Sequence, residues 1–433
     1  MSADWLGSGL STMASSLRGS SILAIAAQVR ELVASGREVC NLTIGDFNPN
    51  EYPVPERLRD ALVDAIRAGQ TNYPPSNGMP ELRAAIARFH HTRLGVEVDP
   101  IDVIVASGAR PLLYATYRAL VDRGDKVVYG APSWNNSHYA QMLGAEAVQL
   151  AAGPESGFFP TMDLIAPHLH DARLLVLNSP SNPTGTCIRR DDYAELCTAI
   201  VDENDRRKVV GQRPLFLLHD QIYWLLTFGD VKHIHPVAIE PRMADYAISV
   251  DGISKAFAAT GLRVGWATGP KQVIAALNRI SGHVGAWAPK PMQIAAAALI
   301  SDDAAVDGYM AWIRTEAHDR LALLHRRLIA IAGDRLPIRA LEPEGAIYLS
   351  VEFALRGCTL DGRTIETPDD VRRLLLDEVG MAVVPFDAFG ASHATDWYRL
   401  SVGAVSRATL ATCLDRLEQT MARVVVPAGR GAA

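Results

Sequence analysis

Residues Asp102–Trp134 read DVIVASGARPLLYATYRALVDRGDKVVYGAPSW: an apolar run, a Gly turn, a helical pattern closed by Gly124, and a second apolar run. The runs in DVIVASG and DKVVYGAPSW are short and apolar, the signature of strands buried on both faces. The segment between them carries its apolar residues at helical spacing, which predicts a strand–helix–strand unit with the two strands parallel. The pattern continues outward. Downstream come SHYAQMLGA (helix), EAVQL (strand), RLLVLNSPSNPTG (strand and Pro-rich turn), RDDYAELCTAIVDEND (helix), and the strands PLFLLHD, YAISVDG and RVGWATG. Upstream, Ile22–Ser35 has helical spacing, VCNLTIGDFNPNEYPVP reads as a short strand opening into a loop, and PERLRDALVDAIRAG and MPELRAAIARFHHTRLG read as helices closed by Gly. After about residue 305 the order changes to a long helix, the strand GAIYLSVEF, a helix at DDVRRLLLDEVG, the strands MAVVPFDAFG and WYRLSVG, and a closing helix.

The expected fold class is α/β: a large domain with a mostly parallel sheet covered by helices, and a smaller α+β domain made from both termini. The expected boundaries are a flexible N-terminal arm at 1–20, the N-terminal part of the small domain at 21–58, the large domain at 59–305, the C-terminal part of the small domain at 306–425, and a disordered tail at 426–433. The 433 residues are 48% apolar and 21% charged with a net charge of -6, which gives no basic field for nucleic acid or an anionic membrane. The five cysteines, Cys40, Cys187, Cys197, Cys358 and Cys413, form no CxxC pair, which argues against a disulfide framework or zinc site. With no signal-peptide layout and no apolar run of membrane-spanning length, the expected compartment is the cytoplasm.

In a parallel α/β sheet, ligands bind where strands end and helices begin. At those ends stand Gly108 and Ala109, whose amides open a helix and form a candidate anion cradle; Trp134, a flat apolar plate; Asn182; Asp220, closing an apolar strand, with Tyr223 three residues on; and then Lys255 and Arg263 among Gly, Ser, Ala and Thr. Singly each has an ordinary reading: Asp220 as a helix cap, Trp134 as core, Asn182 as a turn residue, Lys255 as a snorkelling surface cation. Together they match the needs of a flat, phosphorylated, nitrogen-containing ring that forms an imine with lysine.

Gly252-Ile253-Ser254-Lys255, followed by Gly261-Leu262-Arg263-Val264-Gly265, resembles the lysine signature of class I/II pyridoxal-phosphate-dependent aminotransferases, the aspartate aminotransferase-like members of fold type I. NSPSNPTG (178–185), HDQIY (219–223), YPPSNGMPELR (73–83) and YRLSVG (398–403) are similar to the family's other motifs and occur in its order, over about residues 22 to 420. The resemblance implies pyridoxal 5'-phosphate held as an aldimine on Lys255, whose freed amine then moves the proton. Asp220 would pair with the pyridine nitrogen, Tyr223 and Asn182 would bond the ring hydroxyl, and Trp134 would stack on the ring. Arg263, Ser254 and the amides of Gly108 and Ala109 would hold the phosphate, and Tyr73 would reach the phosphate of a neighbouring subunit in a homodimer. Arg399 and Asn182 would bind the substrate carboxylate, with the backbone at Gly45 closing over the substrate. The implied reaction is ping-pong transfer of an amino group from an L-amino acid to a 2-oxo acid, of aspartate/glutamate type if Arg110 faces the substrate rather than the phosphate.

Two positions depart from the family's pattern: Gly252 where a Ser or Thr is common, and Gln221 where an acid often follows the ring-nitrogen Asp. A lyase or synthase on the same fold and a non-catalytic ligand sensor are the alternatives. The sensor is disfavoured because about twenty residues before the fold are too few for a helix-turn-helix domain. A nicotinamide enzyme is disfavoured because GSG (7–9) follows no strand. His90-His91 and His233-x-His235 lack further ligands at useful spacing, so no metal is expected and they read as surface or loop residues.

Overall fold

A computed structural model describes residues 9–17, 19 and 21–427. The short strand β1 (Cys40–Asn41) precedes a seven-stranded sheet built from β2 (Val103–Ala106), β3 (Lys126–Ala131), β4 (Glu146–Ala151), β5 (Ala172–Asn178), β6 (Phe216–Asp220), β7 (Ala247–Gly252) and β8 (Gly265–Thr268). Its order is β2-β8-β7-β6-β5-β3-β4, and every side chain of β2, β7 and β8 is buried. Burial on both faces is why these strands read as unbroken apolar runs rather than alternating ones.

The sheet is mostly parallel, as expected; β8 runs against both β7 and β2. Residues 253–264 join β7 to β8 and hold only two short helical turns, Ile253–Ala256 and Thr260–Leu262, with no helix to cross the sheet for a parallel return, so the chain doubles back beside β7. Helices Ala109–Leu120 and Lys271–Val284 pack their apolar residues on one face, and Arg190–Val210 covers the other. The helices Lys271–Val284, Lys290–Ile300 and Met162–Leu169 have no counterpart among the expected elements.

The C-terminal lobe holds a 30-residue helix, Asp303–Ala332, and an antiparallel sheet in which β10 (Tyr348–Phe353) lies between β9 (Ile338–Ala340) and Trp397–Ser401. The N-terminal segment joins this lobe: β1 pairs in parallel with Met381–Ala382. Within the stretch read as an arm, Thr12–Ser16 forms a helical turn capped by the Ser11 hydroxyl, and Gln141 donates a hydrogen bond to the Ser16 carbonyl at 3.0 Å. Residues 1–8, 18 and 20 of the expected arm, and residues 428–433 of the expected tail, lie outside the described residues. Among the described residues no helix is long and apolar enough to cross a membrane.

Candidate active site

Register brings the chemistry to one edge of the sheet. Asn178 at the end of β5 lies opposite Asp220 at the end of β6, Asp220 opposite Val250, and Gly252 opposite Gly265, which continues to Ala106 of β2. The Asn178 side chain then clamps two of these ends. Its amide donates to the Asp220 carbonyl at 2.9 Å, and its oxygen accepts from the Asn182 backbone N–H at 2.7 Å. Beyond these ends opens a cavity of about 660 Å³ that also reaches the small lobe.

Lys255 stands on a single helical turn, Ile253–Ala256, directly after β7, and its Nζ donates to the Gly45 carbonyl at 2.6 Å. Burial, reinforced by the charges of Arg399, Arg110 and Arg263 and opposed by Asp46, lowers its pKa to about 8. Asp220 is pushed the other way, up to about 6, by burial, against the Ile222 N–H that its Oδ1 accepts at 3.2 Å and the charge of Lys255. Arg399, 2% exposed on the strand Trp397–Ser401, donates to Asn182 Oδ1 at 3.0 Å and to the Thr43 carbonyl at 2.5 Å, while its Nε has no partner among the described residues. Arg263 holds a left-handed backbone (φ 57°) and wraps Gly108, donating to the carbonyls of Thr260 at 2.7 Å and Ser107 at 3.0 Å. Gly108 itself has φ 96°, and a methyl there would run into the Arg263 guanidinium, so both conformation and space require glycine. The Arg110 guanidinium lies 4.3 Å from the centre of the Trp134 ring. Five basic residues (Arg30, Arg110, Lys255, Arg263, Arg399) and two acids (Asp46, Asp220) line the cavity, a net positive field suited to an anionic ligand.

Of the residues singled out in the sequence, Gly45, Ala109, Arg110, Trp134, Asn182, Asp220, Tyr223, Ser254, Lys255, Arg263 and Arg399 all line this cavity. Gly108 sits behind it against Arg263. Tyr73 does not reach it within its own chain; it is 82% exposed, with its ring edge-on to Trp287 at 5.3 Å. Gly252 is forced by the backbone, since an added Cβ would lie 2.7 Å from the Val264 carbonyl oxygen and 2.9 Å from Gly265 Cα. Gln221 is buried and meets His233 at 3.4 Å.

The surface-or-loop reading of the histidines holds for His91, which is exposed, and for His233 and His235, which lie in a loop, but His90 and His235 are buried. His90 is fully buried and accepts from the Trp266 indole at 3.3 Å, and His235 is 4% exposed against Ser249 at 2.9 Å. Both pack behind the sheet, where burial holds their rings neutral. Sequence reasoning passed over Tyr348 and Asp46, which also line the cavity. Asp46 follows Gly45 directly, and its Oδ1 accepts from the Thr260 hydroxyl at 2.6 Å. A carboxylate adjoining the Gly-containing loop was the available signal.

A mostly parallel α/β sheet whose strand ends bring a lysine, a carboxylate and several arginines into one cavity suits an enzyme that works through a lysine amine on an anionic ligand. The family model described as aminotransferase class I and II matches residues 37–417. The chain therefore belongs to the class I and II aminotransferases, pyridoxal-phosphate-dependent enzymes of fold type I that transfer amino groups. It is 30% identical to a probable aspartate/prephenate aminotransferase of Rhizobium leguminosarum bv. phaseoli over 95% of this chain and 96% of that protein. It is 29% identical to an aspartate aminotransferase of Geobacillus stearothermophilus, over 96% and 98%. The crystal structure of the aspartate aminotransferase from Rhizobium meliloti superposes with a TM-score of 0.85 at 28% identity, covering 96% of this chain and 99% of that one.

Proposed function

We propose that the cavity binds pyridoxal phosphate on Lys255 and exchanges amino groups between dicarboxylic amino acids and their 2-oxo acids. The observation that carries this is one cavity holding a lysine lowered to about 8 together with a buried carboxylate that has no cation hydrogen-bonded to it among the described residues. The residues fit the cofactor. Asp220 accepts only a backbone N–H and is free to take a pyridinium proton, and Arg263, Ser254 and the helix opening at Ala109 offer donors to a phosphate. When bound, pyridoxal phosphate supplies a ring that accepts the electron pair released at the substrate's α-carbon.

The protein supplies the rest. The Lys255 amine would take the α-proton on Nζ and return it to the carbon on the far side of the amino nitrogen, two atoms away; a lowered pKa keeps a usable fraction of the amine neutral. Asp220 would hold a pyridinium proton, Tyr223 and Asn182 would offer hydrogen bonds to the ring oxygen, and Trp134 would offer an apolar face, all four lining the cavity. Arg399 offers its guanidinium to the α-carboxylate, oriented by Asn182 and the Thr43 carbonyl. Tyr73, exposed on its own chain, is the residue we assign to the site of a second subunit in a homodimer. The scattered free cysteines suit a cytoplasmic enzyme.

Arg110 is the residue we assign to the distal carboxylate. It lines the cavity, rests on Trp134 and has no acidic partner among the described residues. The names of the relatives, aspartate and aspartate/prephenate aminotransferases, support an acidic substrate. Arg110→Ala should raise KM for aspartate and glutamate by about ten- to a hundred-fold, the loss of one charge-assisted hydrogen bond, and leave alanine and phenylalanine unchanged. An equal loss for all four amino acids would place Arg110 on the phosphate instead.

A further inference from the structure

Tyr348 stands against three assigned residues from three separate segments, Tyr223, Arg399 and Gly45. It opens β10, is 1% exposed and lines the cavity. Its hydroxyl lies 2.6 Å from the Tyr223 hydroxyl, and the two rings meet edge-on with centres 5.6 Å apart. The Arg399 guanidinium lies 4.8 Å from the centre of its ring, with Phe389 a second aromatic neighbour at 5.0 Å. Gly45, whose carbonyl accepts from Lys255, has no room for a side chain because a methyl there would stand 2.6 Å from the Tyr348 hydroxyl.

We propose that Tyr348 is a positioning residue with two separable tasks: its hydroxyl aims the Tyr223 proton into the cavity, and its ring sets the plane of Arg399. The first task follows from counting protons. Each phenol has one proton, and burial pushes both hydroxyls up, Tyr223 far above the usual tyrosine range, so both keep it at neutral pH. Two hydroxyls at 2.6 Å share one hydrogen bond, and only one of them donates. If Tyr223 donates to Tyr348, nothing is left for a ligand in the cavity. If Tyr348 donates, Tyr223 accepts there and points its own proton at the ligand oxygen, and the bond it receives strengthens the bond it gives. The second task rests on geometry alone. The guanidinium rests against two aromatic rings that restrict its plane, its terminal nitrogens are held by Asn182 and Thr43, and its Nε, without a partner among the described residues, is left for a carboxylate.

This inference rests on the reading that Tyr223 donates to the ring oxygen of bound pyridoxal phosphate. It is tested on holoenzyme by titrating the cofactor's visible band with pH and by steady-state kinetics. Tyr348→Phe removes only the hydroxyl. Tyr223 then becomes a weaker donor and the negative ring oxygen is less stabilised, so the midpoint of the band should move up by about one pH unit, ten-fold in proton affinity. We expect kcat to fall about ten-fold in step with the lost donor, with KM unchanged. Tyr348→Leu removes the ring as well and should add a rise in KM of about ten-fold for every amino donor.

In a Tyr223→Phe background Tyr348→Phe should no longer move the band, a coupling that general destabilisation does not produce. Melting of the cofactor-free Tyr348→Phe protein at the wild-type temperature would place the effect in the site rather than in folding. An unmoved band in Tyr348→Phe, an equal shift in both backgrounds, or the same KM rise in the Phe and Leu variants would overturn the proposal. A wild type with no visible band would remove the cofactor reading itself, and this inference with it. A wild-type band that titrates normally while Tyr348→Phe is silent would remove this inference alone.

Discussion

Replacing Asp220 by Asn should make the cofactor-free protein more stable while nearly abolishing its activity. The carboxyl's ordinary pKa is 3.8, and burial raises it to about 6. Below 3.8 the folded and unfolded chains both hold the proton, so the site costs nothing. Between 3.8 and about 6 the unfolded chain gives up its proton while the folded chain still holds it, so stability falls across that window and stays at the lower level once the folded carboxyl has ionised above about 6. Two pH units correspond to about 3 kcal/mol at pH 7.5. At about 2.1 cal/mol/K of unfolding entropy per residue, a chain of this length loses about 0.9 kcal/mol per degree, so the penalty is worth about 3 °C in Tm.

Scanning calorimetry of cofactor-free Asp220→Asn should therefore show a melting point about 3 °C above wild type at pH 7.5, shrinking to under about 1 °C at pH 4. In the loaded enzyme the same variant should lose about 100- to 1,000-fold in kcat, since an uncharged amide cannot stabilise a pyridinium. The reasoning is refuted if the Asn variant melts no higher than wild type at pH 7.5, or if its advantage is the same at both pH values. Either result would mean that the buried carboxylate is already compensated without a ligand.

Three further outcomes follow from the site. Arg399→Lys keeps the charge but loses the fork that faces Asn182 and Thr43, and kcat/KM should fall by about 100-fold for every amino donor, measured by coupled assay. Gly252→Ser would restore the hydroxyl common at that position in the family, yet its Cβ meets the Val264 carbonyl at 2.7 Å. Denaturant unfolding should show a loss of about 1–3 kcal/mol, with no gain in phosphate affinity. The rate at which the cofactor-free protein captures pyridoxal phosphate should climb with pH, reach half its maximum near 8 and level off about one unit above, because only the neutral Lys255 amine attacks; stopped-flow absorbance at several pH values reads this directly.

Strand ends were legible because a parallel sheet covered on both faces demands unbroken apolar runs, and the residue that ends such a run is conspicuous. Asp220 after FLLH and Lys255 amid small residues are examples. The direction of β8 was not legible, because an apolar run carries no polarity; the short link from Gly252 to Gly265 decides it. The helix Lys290–Ile300 escaped notice because KPMQIAAAALI has little polar face to mark a period, being packed against the core. Tyr348 was invisible for a related reason. In GAIYLSVEF an aromatic at the start of a strand reads as core, and its partner Tyr223 lies 125 positions away. His90 and His235 looked like surface residues because nothing local reports that the 233–235 loop folds under the sheet. Asn182, by contrast, was placed by its turn and confirmed in position by Asn178 and Arg399, contacts no local pattern contains.

The central claim is that Lys255 carries pyridoxal phosphate and that the site exchanges amino groups. Its most direct test is an absorption spectrum of the purified protein loaded with pyridoxal phosphate, before and after aspartate or glutamate is added with no oxo acid present. The account predicts a visible band that bleaches stoichiometrically to the pyridoxamine form and returns when 2-oxoglutarate or oxaloacetate is supplied. A band that persists with every amino acid, ammonia released without bleaching, or no band in the wild type where Lys255→Ala also shows none, would contradict it.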